Sequence, residues 1–301
     1  MTANWLATIG RIDVADNIVS HVPYSAPSET TTDPGLQQPP LSLAKSNIEF
    51  ETGTVKFEAY LQDSSCRCQL VLNAGHESEV FVGLNVLSSA YGISTFKRGQ
   101  WELLHSAAFG DHPPSQKWIP VEIRVQGSNI QLFVSGVKVC SASHAITRSQ
   151  LGILFQGSMP VKVRKFSADA TRPTVFVVMQ FTDEYNVLFE EVIKPTCESF
   201  GYSVQRGDDP NMTGSIIEDL TKAIREASVV IADITPDNPN VFYEVGYSHA
   251  LAKPTILLSD RKCVKLPFDV SGFRTLFYDN TIGGKRAVEE SLQRHLQSLA
   301  A

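Results

Sequence analysis

The chain has 301 residues, of which 43% are hydrophobic and 19% charged, and its formal net charge is −6. That length suffices for two domains, each with its own core. No apolar run approaches the roughly 20 residues that cross a bilayer, and no basic patch suits a polyanion, so a membrane-spanning protein and a nucleic-acid binder are disfavoured.

The start, MTANWLATIG, lacks a basic stretch followed by an apolar one, so no signal peptide is expected. The five cysteines, Cys66, Cys68, Cys140, Cys197 and Cys263, are odd in number and scattered. Cys66-Arg67-Cys68 is the one cluster, and two thiols without nearby His or further Cys make no zinc site. Reduced thiols, no metal and a cytoplasmic location are expected.

The pattern changes near residue 170. Residues 1–45 include PYSAPSETTTDPGLQQPPLSL, rich in Pro, Ser and Thr, which reads as an irregular N-terminal segment without a core of its own. From Ser46 to Ala168 short alternating runs follow one another between turn residues, among them VKFEAYLQ, CQLVLNAG, EVFVGLNV and WELLHSAAF. In IPVEIRVQ, residues Ile119, Val121, Ile123 and Val125 share one face while Glu122 and Arg124 take the other. The connection GSN to IQLFVSG is a hairpin turn. Many short strands without a helix between them predict an antiparallel sandwich over residues 1–170.

The end of this region, with Trp118 before a strand, then VQGSNIQLFVSGVKV and LGILFQGSMPVKVRKFSADA, resembles the concanavalin A-like jelly rolls, including LamG-type and 3-keto-disaccharide hydrolase-like domains. That resemblance implies a sandwich which often binds carbohydrate or protein. No cluster of acids suggests a calcium-dependent sugar site. Trp101, Trp118, Tyr91 and Phe96 have two readings, stacking on a sugar ring or packing in core and turns.

Residues 171–301 alternate strand and helix. TVFVVMQF is a continuous apolar run, as in a parallel strand covered on both faces. A helix with Val187, Leu188, Val192 and Ile193 at helical spacing follows, then YSVQRGDD, and a helix opening on the capping pattern Ser215 to Glu218. SVVIADIT, NVFYEVGYSHALA, PTILLSD, TLFYDN and the terminal helix KRAVEESLQRHLQSL complete the series. The expected fold is a flavodoxin-like, doubly wound parallel sheet with ligands at the carboxyl ends of its strands.

Those ends carry Gln180 and Phe181, Asp209, Asp233, and the loop PDNPN with Asn238 and Asn240. Neither GxGxxG nor GxxxxGK[ST] follows the first strand, so a dinucleotide redox fold and a P-loop are unsupported. Glu244 lies about one turn into an apolar helix beside Tyr243. It reads either as a first-turn acid favoured by the helix dipole or as a carboxylate aimed, with Asp233, at a ligand. Phe181 reads as a stacking platform or as core. Asn238 and Asn240 read as ribose contacts or as turn and cap residues. Phe268, after Leu266-Pro267, reads as part of a wall or lid.

The block ADIT to FYEVGYSHALAKP, within residues 174–280, resembles the nucleoside 2-deoxyribosyltransferase-like and TIR-like superfamily. The resemblance implies that Glu244, in FYEVG, is the carboxylate acting at the ribosyl C1′ of a nucleoside or of NAD, with Asp233 helping to bind substrate. It further implies an N-glycosidase, a bacterial immune effector controlled by the sandwich through ligand binding or assembly. NAD is then substrate, no cofactor is needed, and a homo-oligomer is expected, with a glycan, protein or signalling nucleotide as trigger. Two other functions stay open: a nucleotide-binding signalling protein without catalysis, and a carbohydrate-binding protein.

Overall fold

The structure, a computed structural model, describes residues 3–23, 39–207, 216–262, 270 and 272–300. Its contacts divide into two compact units, one of residues 1–125, 130–143 and 148–170, the other of 126–129, 144–147 and 171–301.

The first unit opens with β1 (Trp5–Ile9), β2 (Ile12–Ala15), β3 (Ile18–His21) and β4 (Leu41–Phe50). Next come β5 (Gly53–Leu61), β6 (Arg67–Leu72), β7 (Ser78–Val86), β8 (Ser89–Lys97) and β9 (Gln100–Phe109). It closes with β10 (Trp118–Gln126), β11 (Asn129–Val134), β12 (Val137–Ser143), β13 (Ser149–Gln156) and β14 (Val161–Ala170). Two seven-stranded sheets result, ordered β1-β4-β13-β6-β7-β8-β9 and β12-β11-β10-β5-β14-β3-β2. The late strands β13 and β14 run antiparallel inside the two sheets, against β4 and β6 and against β3 and β5.

Strand alternation builds the core. Along β10, Ile119, Val121, Ile123 and Val125 are buried, as are Val80, Val82, Leu84 and Val86 along β7 and Val55, Phe57, Ala59 and Leu61 along β5. The expected irregular segment at the N-terminus is corrected for residues 5–21. Leu6, Ile9 and Val14 are exposed, so the apolar signal there is diluted. The β2–β3 hairpin turns instead on Asp16 and Asn17, both at positive φ (53° and 59°), the backbone of a tight two-residue hairpin turn. Much of the Pro-rich stretch lies outside the described residues.

In the second unit, β15 (Thr174–Val178), β16 (Ser203–Arg206), β17 (Val229–Asp233), β18 (Thr255–Asp260) and β19 (Thr275–Tyr278) form one parallel sheet ordered β16-β15-β17-β18-β19. Alternate residues of each strand feed opposite faces. Val175, Val177, Val229, Ile231 and Leu258 pack with Leu188, Phe189, Ile193 and Cys197 of the segment 183–199 and with Val288, Leu292 and Leu296 of the terminal helix. Phe176, Val178, Val230, Ala232 and Leu257 pack with Ala223 and Ile224 of α3 (Ile216–Glu226) and Val241 and Val245 of α4 (Pro239–Ala250) on the other side. The preceding segment is helical in three pieces, α1 (Asp183–Leu188), a wider π turn at Phe189–Ile193, and α2 (Lys194–Ser199); the last helix is α5 (Ile282–Ala300). Among the described residues no helix is long and apolar enough to cross a membrane.

Candidate functional site

Two regions collect polar groups: the carboxyl edge of the parallel sheet, and the outer face of the sheet that contains β6.

At the sheet edge, Asp233 ends β17 and is wholly buried. Its Oδ2 accepts from the Tyr278 hydroxyl at 2.7 Å and its Oδ1 from the Thr235 amide at 3.0 Å. Thr235 in turn donates to Ser259 Oγ at 3.3 Å and accepts the Asp260 amide at 2.8 Å. Burial pushes the Asp233 carboxyl up to about 7, against which the hydrogen bonds from Tyr278 and Thr235 pull it down. The same burial, with Asp233 beside it, raises the Tyr278 phenol. This network closes on itself within β17, β18 and β19.

Glu244 is half-buried on α4, and burial raises its carboxyl to about 7. Among the described residues no hydrogen bond joins it to Asp233, on which Asp260 acts as a like charge. Asn238 caps α4, accepting the Asn240 amide at 3.0 Å. Asn240 and Tyr243 are exposed, Gln180 is half-buried, and Phe181 is exposed beneath the Arg206 guanidinium, 5.4 Å from its ring centroid. Asp209 and Phe268 lie outside the described residues. The expected crevice residues therefore sit around one edge without converging in the described contacts.

On the sandwich, the outer face carries the alternate residues that its core-facing neighbours leave over. Arg67 and Gln69 come from β6, Phe81 from β7, Ser94 and Phe96 from β8, Trp101 from β9, and Leu154 and Gln156 from β13. Register places Arg67 opposite Gln156, Gln69 opposite Leu154, Phe81 opposite Ser94, and Phe96 opposite Trp101. Trp101 packs against Phe81 and Phe96 with ring centroids 4.7 Å and 5.0 Å apart, and still keeps 46% of its surface open. Arg67, Gln69, Ser94, Trp101 and Gln156, with Leu41, Leu87 and Leu154, line a small pocket of about 60 Å³.

The hydrogen bonding of this pocket is incomplete. Arg67 Nη1 donates to Gln156 Oε1 at 2.8 Å, and Gln69 Nε2 donates to the Asn85 carbonyl at 2.9 Å. The Ser94 hydroxyl, in a residue only 1% exposed, has no partner among the described residues. Two other buried serine hydroxyls are also unpartnered, those of Ser89 and Ser228, but neither lines this pocket. Most buried polar groups are paired, so an orphan lining a cavity has hydrogen-bonding capacity to spare.

Of the aromatic residues singled out earlier, Trp118 packs against Tyr60 with tilted rings 5.4 Å apart and lies beneath the Arg164 guanidinium at 4.0 Å, on the other sheet. Tyr91 and Phe96 are half-buried. Sequence reasoning named Trp101 but missed Arg67, Gln69, Ser94 and Gln156. The available signal was a charged or amide side chain inside an otherwise apolar strand, as in RCQLVL and LGILFQ. Among the described residues no group of His, Cys, Asp and Glu could hold a metal ion.

No protein-family model matches the chain, and no curated protein does. Solved structures match its N-terminal part. A carbohydrate-binding module, CBM66 of Bacillus subtilis, aligns at 9% identity and a TM-score of 0.45 over 55% of this chain and 95% of that one. A Bacillus subtilis protein of unknown function with a galectin-like fold aligns at 12% identity and 0.41 over 56% and 91%. A β-1,3-1,4-glucanase (lichenase) from a mouse hindgut metagenome aligns at 10% and 0.42 over 56% and 94%. These findings overturn the expected N-glycosidase of NAD or nucleosides: none supports a TIR-like or deoxyribosyltransferase-like second half, an NAD substrate or a defence role.

Proposed function

We propose that the sandwich unit binds carbohydrate on the outer face of the sheet containing β6, in the pocket beside Trp101. The observation that carries this reading is the pairing of a half-open indole with the buried, unpartnered Ser94 hydroxyl. A pyranose residue presents both complements, an apolar C–H face for the indole and polar substituents for the orphan Ser94 hydroxyl and the Gln69 amide. Binding without cleavage is favoured. Glycoside hydrolysis uses a pair of carboxylates across the scissile bond, and among the described residues none lining the pocket is acidic.

The order β16-β15-β17-β18-β19 supports a flavodoxin-like reading of the second unit, the second strand lying outside the first. Free buried thiols at Cys66, Cys68, Cys140 and Cys197 support a reducing compartment such as the cytoplasm.

Affinity electrophoresis of the full chain through gels containing neutral or acidic polysaccharides tests the carbohydrate reading. Retardation by at least one polysaccharide is expected, and Trp101→Ala should abolish it while leaving the circular dichroism spectrum intact. Migration unaffected by every polysaccharide, or retardation that survives the loss of Trp101, overturns the reading.

A further inference from the structure

The pocket holds one feature that a neutral sugar leaves unanswered. Arg67 starts β6, the central strand of its sheet, and projects onto the outer face only half-exposed. A guanidinium stays charged in proteins and has five N–H donors in a fixed fork. Here one of them reaches Gln156 Oε1, and among the described residues no carboxylate pairs with the group. Burial is the one influence that moves its ionisation, and it moves it down, as expected for a cation without a counter-charge. The nearest sequence acid, Asp63, is engaged by the Ser65 hydroxyl and amide at 2.6 Å and 2.8 Å.

Other charges on this face do not supply the missing partner. Lys45, opposite Gly152 on the same sheet, adds a second positive charge and donates to the Ala74 carbonyl at 3.4 Å. Glu79 sits opposite Phe96 in the row that contains Trp101, and its carboxylate accepts the Gly75 amide at 2.8 Å. Glu79 does not line the pocket, and Arg67 does.

Size narrows the ligand further. The cavity beside Trp101 is small, about 60 Å³, and suits a side group of a sugar better than its whole ring. A partly desolvated cation gains most from a bidentate, charge-assisted pair.

Resting on the carbohydrate reading, we propose that this site recognises an acidic sugar: the carboxylate of a uronic acid residue enters the pocket to meet the free donors of Arg67, while its ring stacks on Trp101. The Ser94 hydroxyl, which lines the same pocket, then donates to the entering carboxylate. Sequence position alone hides this arrangement, because its parts lie at 67, 94, 101 and 156.

Titration calorimetry of the full chain tests it, with disaccharides of galacturonate, glucuronate and mannuronate, their carboxyl-reduced neutral counterparts and a sulfated disaccharide. The expected result is binding of at least one uronate ten-fold or more tighter than its reduced form, with affinity falling as salt rises. Arg67→Gln should erase that preference. Arg67→Lys, which keeps the charge and loses the fork, should weaken uronate binding about ten-fold; unfolding midpoints close to wild type for both variants show that the fold is kept. Equal affinity for acid and reduced forms, or a preference that survives Arg67→Gln, overturns the acidic-sugar assignment and leaves the carbohydrate reading standing. Tighter binding of the sulfated sugar overturns the carboxylate in particular. Absence of binding to every sugar removes both.

Discussion

Asp233 and Ser94 are equally hidden from solvent, yet the two halves of the chain treat them in opposite ways. In the parallel-sheet unit, a tyrosine and a backbone amide close on the buried acid, and the neighbouring Thr235 and Ser259 extend the network. In the sandwich, the serine hydroxyl lines a pocket and, among the described residues, has nothing to bond, beside a guanidinium that none of those residues pairs with a carboxylate. A strand-end position drew attention to the first site, but a group whose described partners are all internal has little left for a ligand. Unanswered hydrogen-bonding capacity is the better guide to binding than burial of charge.

The contrast can be broken most directly at Asp233. Its folded carboxyl lies near 7 against 3.8 for the ordinary group, so the folded state holds a proton that the unfolded state has lost between those values. Stability is therefore full at low pH and falls as pH rises from about 4 to about 7, by about 4 kcal/mol at roughly 1.4 kcal/mol per unit. Asp233→Asn should flatten that part of the profile; urea unfolding midpoints at pH 4 and pH 8 measure it. An unchanged slope would mean that Asp233 ionises freely and that the network is not closed.

Tyr278→Phe should come next in size. It removes one of the donors that favour the ionised acid, so a loss of about 1–3 kcal/mol is expected, larger at pH 8 than at pH 4, by the same unfolding measurement. In the sandwich the corresponding deletion should behave differently. Ser94→Ala removes a hydroxyl that has no partner to lose, so thermal unfolding should show a change below about 1 kcal/mol, of either sign. A loss as large as that of Tyr278→Phe would show that Ser94 is bonded within the fold, and the comparison would fail.

Much of the architecture was legible. The switch from two-residue alternation to continuous apolar strands between helices marks the two kinds of sheet, since a strand covered on one face alternates and one covered on both does not. Asn238 was readable as a cap because that role is local. The strands within residues 5–21 were not, because their outward Leu6, Ile9 and Val14 blur the pattern and the hairpin depends on a two-residue turn. At Asp233, the strand-end position was visible in sequence, but its enclosure comes from a tyrosine 45 residues later. The pocket on the sandwich was the least legible part. Arg67, Ser94, Trp101 and Gln156 meet only through the pairing of β6, β7, β8, β9 and β13, and no local pattern announces which alternate residues will share a face.

The buried thiols have a consequence of another kind. Cys66, Cys68 and Cys140 lie in the sandwich and Cys197 in α2, all unoxidised and hidden. Burial lifts every one of them above the ordinary thiol, Cys140 to about 11 and Cys197 to about 12. Since the thiolate is the reacting form, each sulfur stays silent toward an alkylating reagent for as long as its surroundings hold together. The molecule thus carries its own clocks: the moment at which each of these sulfurs is tagged records when that part of the chain last came open.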